Sequence, residues 1–193
     1  RPLDLRADHF DPLFTEPLWT TRNSFDPAGA ADDNQFGIYN KRYLLNKLEQ
    51  EKNLIDEFNH TSTLIVIELA KEIKESIDNP KALLLMTRTR ARLLMKTSRG
   101  SDDVAHYGDG VFTMILKHTD TTNAKRASER LCDLVSSSNF FLAEKGVQLK
   151  ISIGIANISA ERSAEETLVS GLNAMMRAYD NDEEDYAVAE ETT

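Results

Sequence analysis

Hydrophobic residues in the first half of the chain follow two spacings, one typical of helices and one typical of buried strands. Residues 40 to about 58 repeat leucine and isoleucine at helical spacing, which predicts an amphipathic helix. The apolar, β-branched run Thr63–Leu69 predicts a buried strand. Residues 70–77 also have a helical pattern, Asn79-Pro80 interrupts it, and residues 81–97 predict a second long helix. The first half therefore predicts the order helix, strand, helix, helix.

The second half begins with two apolar strands, residues 102–107 and 111–117, on either side of a glycine-rich turn. This combination predicts a β-hairpin. Residues 121–137 repeat apolar side chains at helical spacing and predict another amphipathic helix. Residues 147–155 alternate apolar and polar side chains, so they predict one strand with a single buried face.

The end of the folded region pairs a helix with a short strand. Ser163 followed three residues later by Glu166 is a capping-box pattern, so a helix is expected to start there and to run to Tyr179. Tyr186–Val188 predicts a final strand. A hairpin inside a β-α-β-β-α-β frame predicts an α+β fold, in which helices flank a mixed, mainly antiparallel sheet.

Composition places the chain among globular proteins and excludes several function classes. Its 193 residues, 40% of them hydrophobic, are enough for one domain with a proper core. The net charge of −9 argues against nucleic-acid binding. No apolar run approaches the ~20 residues of a membrane span, and the first residues do not resemble a signal peptide, so we expect a cytoplasmic location. The single cysteine, Cys132, excludes an internal disulfide, and its helical context favours a buried thiol over a nucleophile.

Charge is distributed unevenly along the chain. Every charged residue between Lys81 and Ser101 is basic, whereas five acids lie within residues 180–185. Both runs have a plain interpretation as a solvated helix face and a solvated tail. The basic run also leads directly into an Arg-x-x-Asp sequence, which leaves an anionic ligand open as its role.

Residues 1–31 are expected to be a leader or linker, because four prolines break them up and an alanine-glycine stretch ends them. The folded domain is then expected over residues 32–188, with a tail at residues 189–193. Since the chain begins without Met, we expect it to come from a longer protein. A protein partner or an upstream regulatory domain is also expected.

The hairpin carries the most specific sequence of the chain. Arg99 and Asp102 form an Arg-x-x-Asp pair just before it. The arrangement resembles the signature of GGDEF domains, the diguanylate cyclases, which reads R-x-x-D-x-x-A-R-Y-G-G-D-E-F. His106 stands where that signature has its second Arg, and we expect it on the strand surface. At the turn itself the chain has Gly108, Asp109, Gly110, Val111 and Phe112.

Four other segments resemble the same family in the same order. Residues 33–44 resemble its opening motif, and residues 64–68 its first strand, which ends in an acidic metal ligand. Residues 119–131 resemble the helix after the hairpin, and residues 151–156 its Ser-Ile-Gly-Ile-Ala strand. The resemblance covers about residues 33–188 and implies the ferredoxin-like sheet of nucleotidyl cyclases.

The same resemblance implies that catalysis is lost. Family members join two GTP molecules by means of divalent metals that carboxylates hold. Glu68 keeps the carboxylate of the first strand, but Gly110 and Val111 stand at the acidic positions of the turn. Asp109 replaces a glycine beside the phosphates, which its charge would repel. We therefore expect no enzyme activity, no catalytic Mg²⁺ and no other cofactor.

The Arg-x-x-Asp pair implies a retained ligand site. In the family it is the inhibitory site, which binds the product cyclic di-GMP, and Arg130 matches a third family contact. An arginine fork meets O6 and N7 of guanine, and a carboxylate accepts from N1–H and N2–H₂. We expect Arg99 on the Hoogsteen edge, Asp102 on the Watson–Crick edge, and Arg130 on a second guanine or a phosphate. The predicted function is that of a cyclic di-GMP receptor in bacterial second-messenger signalling, with a ligand dimer able to bridge two copies.

Other functions remain open from the sequence. The domain could serve only as a protein-interaction or dimerisation module, with an Arg–Asp pair that is a surface salt bridge worth ~0–1 kcal/mol. It could instead sense GTP in the altered cleft. An active cyclase is the fourth alternative, and the lost acids argue against it.

Overall fold

The computed structural model of the protein describes residues 5–6, 32–33, 38–142 and 145–190. The leader predicted over residues 1–31 lies outside these ranges apart from Leu5–Arg6, as do residues 191–193 of the predicted tail. Among the described residues, no helix is both long and apolar enough to cross a membrane.

The described chain contains every helix that its hydrophobic pattern predicts, in the predicted order, together with more strands than the pattern predicts. The helices are α1 (Lys41–Phe58), α2 (Lys71–Glu75), α3 (Pro80–Thr97), α4 (Thr121–Ser136) and α5 (Ala164–Tyr179). The strands are β1 (Leu5–Arg6), β2 (Asp32–Asp33), β3 (Ile38–Tyr39), β4 (Ser62–Leu69), β5 (Asp103–Gly108), β6 (Val111–Leu116), β7 (Asn139–Leu142), β8 (Lys145–Gln148), β9 (Ile151–Ile158) and β10 (Tyr186–Val188).

The main sheet has the strand order β10-β9-β4-β6-β5-β3-β2. Its β10–β9 and β3–β5 pairs are parallel, and its other four pairs are antiparallel. Strands β1, β7 and β8 form a separate sheet. The prediction of an α+β fold with a mixed, mainly antiparallel sheet and flanking helices is confirmed.

Helices cover both faces of the central strands. Alternate residues of β4 enter two separate cores: Leu64 and Val66 pack with α1 and α5, whereas Ile65 and Ile67 pack with α3 and α4. Capping fixes where the helices begin: α1 follows Asn40, whose side chain accepts the Tyr43 N–H, and α5 follows Ser163 in the predicted capping box. The sheet thereby holds the β5–β6 hairpin between β4 and β3, with α3 and α4 on one side.

The prediction of one half-buried strand over residues 147–155 is wrong in two respects. The segment is divided between β8, which ends at Gln148, and β9, which begins at Ile151. Strand β9 is buried on both faces up to Ala156, because it lies between β4 and β10 with α5 on one face and α4 on the other. Its serine and glycine at alternate positions signal close helix packing rather than solvent. The pattern also missed strands β1, β2, β3 and β7.

Cys132 lies on α4 and is partly buried, as its helical context predicts. Burial, with Asp185 and Asp133 nearby, raises the pKa of its thiol from 9.0 to about 12. Because only the thiolate reacts, we expect a thiol-specific reagent near neutral pH to modify the folded protein at least ~100-fold more slowly than the urea-unfolded chain. Equal rates in the two states would contradict this assignment.

Candidate functional site

The β5–β6 hairpin closes through a two-residue turn. Asp109 and Gly110 both have left-handed backbone angles, φ 50° and 81°, which is the geometry of a tight hairpin turn that follows the twist of its strands. His106 is buried rather than on the strand surface, contrary to our expectation, and its Nε2 accepts the Gly110 N–H at 3.3 Å. A register shift between His106 and Gly108 gives the ring that position. His106 therefore holds the turn and is directed into the protein.

A buried ion pair lies beneath this turn. Glu68, near the end of β4, is 4% exposed, and Arg90 on α3 is 2% exposed. Arg90 Nη1 lies 3.3 Å from Glu68 Oε1 and donates to the Gly110 carbonyl at 2.9 Å. Arg90 Nη2 donates to Thr87 Oγ1 at 3.1 Å, and Lys74 Nζ lies 3.1 Å from Glu68 Oε2. Burial lowers the pKa of Arg90, and the charge of Glu68 opposes that effect.

The residues around the Arg90–Glu68 pair, which form the corner beneath the turn, do not fit a divalent metal. Glu68 already has two cationic partners, and the Gly110 position supplies only its carbonyl, which Arg90 binds. A Cβ built on Gly110 would lie 3.3 Å from Arg90 Nη2 and 3.7 Å from Glu68 Oε1. Val111, the other acidic position of the resembled signature, packs with α1 and α5. Within the part of the chain that the structure describes, no cluster of three or more His, Cys, Asp or Glu side chains could hold a metal ion.

The Arg-x-x-Asp segment forms a compact turn at the other end of the hairpin. Asp102 Oδ2 accepts the backbone N–H of Arg99 at 2.9 Å, and its Oδ1 accepts that of Lys117 at 3.4 Å. The backbone N–H of Asp102 in turn donates to the Arg99 carbonyl at 3.1 Å. The backbone thus fixes the Asp102 carboxylate, while the Arg99 guanidinium is exposed beside it.

The three residues predicted to bind a ligand line one cavity of about 720 Å³. Arg99 and Asp102 contribute from the segment between α3 and β5, and Arg130 contributes from α4. Apolar side chains of β4, β6 and α4 line the same cavity. The turn at residues 108–112 is not part of it. The hairpin therefore separates two places, a turn over the Arg90–Glu68 pair and a cavity lined by arginines.

Sequence reasoning missed five polar residues of this cavity: Thr97, His118, Thr119, Asn123 and Arg126. Arg126 lies four residues before Arg130 on α4, so the two share a helix face, and that spacing could have identified it. Arg99, Arg126 and Arg130 face a single aspartate there, which gives the cavity a positive charge although the chain is net −9. An anionic ligand is therefore favoured at this place.

His118 belongs to a small polar cluster at the cavity rim. Its backbone is left-handed, with φ 51°, and its ring lies 4.5 Å from that of His60. His60 Nε2 lies 2.7 Å from the buried carboxylate of Glu51, which also accepts from Ser62 Oγ at 2.6 Å. Burial would raise the pKa of Glu51, but the hydrogen bonds from Ser62 and His60 outweigh it and lower that pKa. The carboxylate therefore stays ionised and anchors His60 beside His118.

The family model "Diguanylate cyclase, GGDEF domain" matches residues 30–185 of the chain. The chain belongs to the GGDEF family. Its relatives include the "Probable diguanylate cyclase DgcC" of Escherichia coli K-12, which is 26% identical over 136 residues, or 68% of this chain and 35% of the relative. The chain thus spans about a third of the length of the curated relatives it matches.

Solved GGDEF domains share the fold of this one. The FimX GGDEF domain from Pseudomonas aeruginosa has a TM-score of 0.71 at 21% identity, and the match covers 83% of this chain and 99% of that one. The GGDEF domain of DgcB from Caulobacter crescentus, solved in complex with c-di-GMP, has a TM-score of 0.74 at 15% identity over 86% of this chain and 98% of that one. At these identities the likeness shows the fold, and this chain therefore has the GGDEF fold implied by its motifs.

Proposed function

We propose that this GGDEF domain is a catalytically inactive receptor for cyclic di-GMP. The observation that carries the proposal is the single cavity lined by Arg99 and Asp102, from the segment between α3 and β5, and by Arg130 from α4. Its volume, about 720 Å³, lies within the range of small-molecule sites. The DgcB domain of the same fold was solved with c-di-GMP, which supports that nucleotide as the ligand.

The cavity offers the chemistry that a guanine needs. The exposed Arg99 guanidinium can donate to O6 and N7 together, since a planar fork meets two acceptors at once. Asp102 is held by backbone N–H groups, and its remaining lone pairs can accept from N1–H and N2–H₂. Arg130 and Arg126 would balance the phosphate charges or contact a second guanine.

The corner beneath the turn supports the absence of catalysis. Arg90 and Lys74 bind the carboxylate that the family motif would offer to a metal, and Gly110 and Val111 carry no ligand side chains. Asp109 is exposed at the tip of the turn, where its charge would repel a triphosphate. Losing metal ligands and placing a negative charge beside the phosphates together remove the electrostatic stabilisation on which phosphoryl transfer depends.

Binding would act on an assembly in the cytoplasm. Cyclic di-GMP can form an intercalated dimer, and such a dimer could join the Arg99 surfaces of two copies of this chain or of this chain and a partner. A GGDEF protein of known structure, SiaD of Pseudomonas aeruginosa, was solved with its activator SiaC, so partner binding has a precedent in this fold.

Calorimetric titration with cyclic di-GMP and with GTP tests the proposal. We expect heat with cyclic di-GMP at micromolar concentrations, none with GTP, and no product when GTP is supplied with Mg²⁺ or Mn²⁺. Heat with GTP alone would favour a GTP sensor, and silence with both nucleotides would favour an interaction module. Formation of cyclic di-GMP from GTP would contradict the proposal outright.

A further inference from the structure

We propose that the Arg90 guanidinium is a resident cation that takes the place of a divalent metal in this GGDEF domain. The inference deepens the inactive half of the proposed function and does not depend on nucleotide binding in the Arg99 cavity. It rests on what Arg90 contacts: the buried carboxylate of Glu68 on one side and the main chain of the signature turn on the other.

The contacts of Arg90 are those expected of a bound cation. It neutralises Glu68 at 3.3 Å and binds the Gly110 carbonyl oxygen at 2.9 Å, so it ties the first-strand acid to the hairpin turn. The guanidinium also lies 5.5 Å from the centre of the Phe112 ring, which favours a cation at that place. Both charged groups are nearly inaccessible, so leaving either one unpaired would be costly.

The charge of the corner opposes a second cation. One carboxylate, Glu68, faces two cations, Arg90 and Lys74, so the cluster is net positive before any metal arrives. The guanidinium is covalently tethered and keeps its charge at all ordinary pH values. A divalent ion would have to displace Arg90 from a buried position. That displacement is costly because water could not replace the contacts that Arg90 loses.

Restoring an acid to the turn should therefore fail to restore a metal site. An aspartate at Gly110 would place its Cβ 3.3 Å from Arg90 Nη2, so its carboxylate would pair with the guanidinium. Aspartate tolerates the left-handed backbone of that position better than most residues. In the presence of Arg90 the added acid makes the cluster neutral, and only removal of Arg90 leaves two carboxylates facing each other with one lysine.

The test is Mn²⁺ binding without nucleotide, measured by electron paramagnetic resonance on folded variants. We expect Arg90→Leu/Gly110→Asp to bind Mn²⁺ at least about tenfold more tightly than Gly110→Asp alone. Arg88→Leu/Gly110→Asp is the matched control, since it removes an arginine from the same helix outside the Glu68 contacts. Equal affinities for the two double variants would overturn the proposal.

Wild-type protein provides a second test if the double variant does not fold. Millimolar Mn²⁺ should leave the amide resonances of Glu68 and Gly110 unbroadened, and the melting temperature of the wild type should not rise. Selective broadening of both resonances would show a metal at this corner and would overturn the resident-cation assignment. Because neither measurement involves cyclic di-GMP, failure here leaves binding of cyclic di-GMP in the Arg99 cavity untouched, and absence of that binding leaves the Arg90 assignment untouched.

Discussion

A single methyl group at Gly154 is expected to destabilise the domain severely. Gly154 lies in the centre of β9, and helix α5 packs directly on its backbone. A Cβ there would lie 2.2 Å from the Gly171 carbonyl oxygen and 2.3 Å from the Met175 nitrogen, both of them main-chain atoms that cannot move alone. Separating α5 from the sheet would open one of its two cores, so we expect Gly154→Ala to cost more than ~4 kcal/mol, a large share of a typical stability of roughly 5–15 kcal/mol.

Two other glycines provide a graded control for this experiment. At Gly171 a Cβ would meet a methyl group of Val66 at 2.8 Å, a side chain that can shift, so Gly171→Ala should cost less. At Gly100 a Cβ would meet nothing within 4 Å, so Gly100→Ala should change the free energy of unfolding by less than ~0.5 kcal/mol. Urea unfolding monitored by circular dichroism gives the order, and a stable Gly154→Ala protein would refute the packing of α5 on β9.

Arg99→Ala is expected to remove most of the affinity for cyclic di-GMP. If the Arg99 fork binds a guanine edge, the change deletes two charge-assisted hydrogen bonds and one of three arginine charges in the cavity. A loss of at least ~2 kcal/mol, or about 30-fold in the dissociation constant, follows from the strength of such bonds. Stability should change little because the side chain is exposed, so calorimetry compares two folded proteins.

Matched variants separate recognition from general charge. Lys96 is exposed in the last turn of α3, three residues before Arg99, and does not line the cavity. Lys96→Ala should therefore leave the affinity for cyclic di-GMP within about twofold of the wild type. Arg99→Lys keeps the charge and loses the fork, so most of the affinity should remain lost. If Lys96→Ala weakened binding as much as Arg99→Ala, the basic run would act only through general electrostatic attraction and Arg99 would have no specific role in recognition.

Most of the fold could be predicted from regular hydrophobic patterns and from motifs in a recognisable order. β-branched runs such as Thr63–Leu69 and the capping box at Ser163 predict their elements because local preference and tertiary burial agree there. Strand β9 departs from its pattern, since its alternation suggests one exposed face and only the α5 packing at Gly154 explains why that face is buried too. Strands β2 and β3 are two residues each, too short to have a period of their own.

Part of the candidate site could be predicted because its motif lies within a few residues of sequence. The rest could not, because it depends on the packing of residues that are distant in the sequence. Arg99 and Asp102 lie three residues apart in a pattern that can be found in the sequence alone, and the family resemblance adds Arg130. The fold brings Arg126 to the same cavity. In the sequence, Arg90 is one more residue of a basic helix face. Only the structure shows that it lies beside Glu68, which is 22 residues away in the sequence. The role of His106 likewise becomes visible only in the structure, where the turn brings the Gly110 N–H within hydrogen-bonding distance of its ring.

The most direct test of the receptor account is a structure of this chain with cyclic di-GMP. The account predicts a guanine in the cavity, with Arg99 on its Hoogsteen edge and Asp102 on its Watson–Crick edge, and a second guanine or a phosphate beside Arg130. A nucleotide bound at the turn of residues 108–112, or a structure in which saturating cyclic di-GMP occupies neither place, would contradict it.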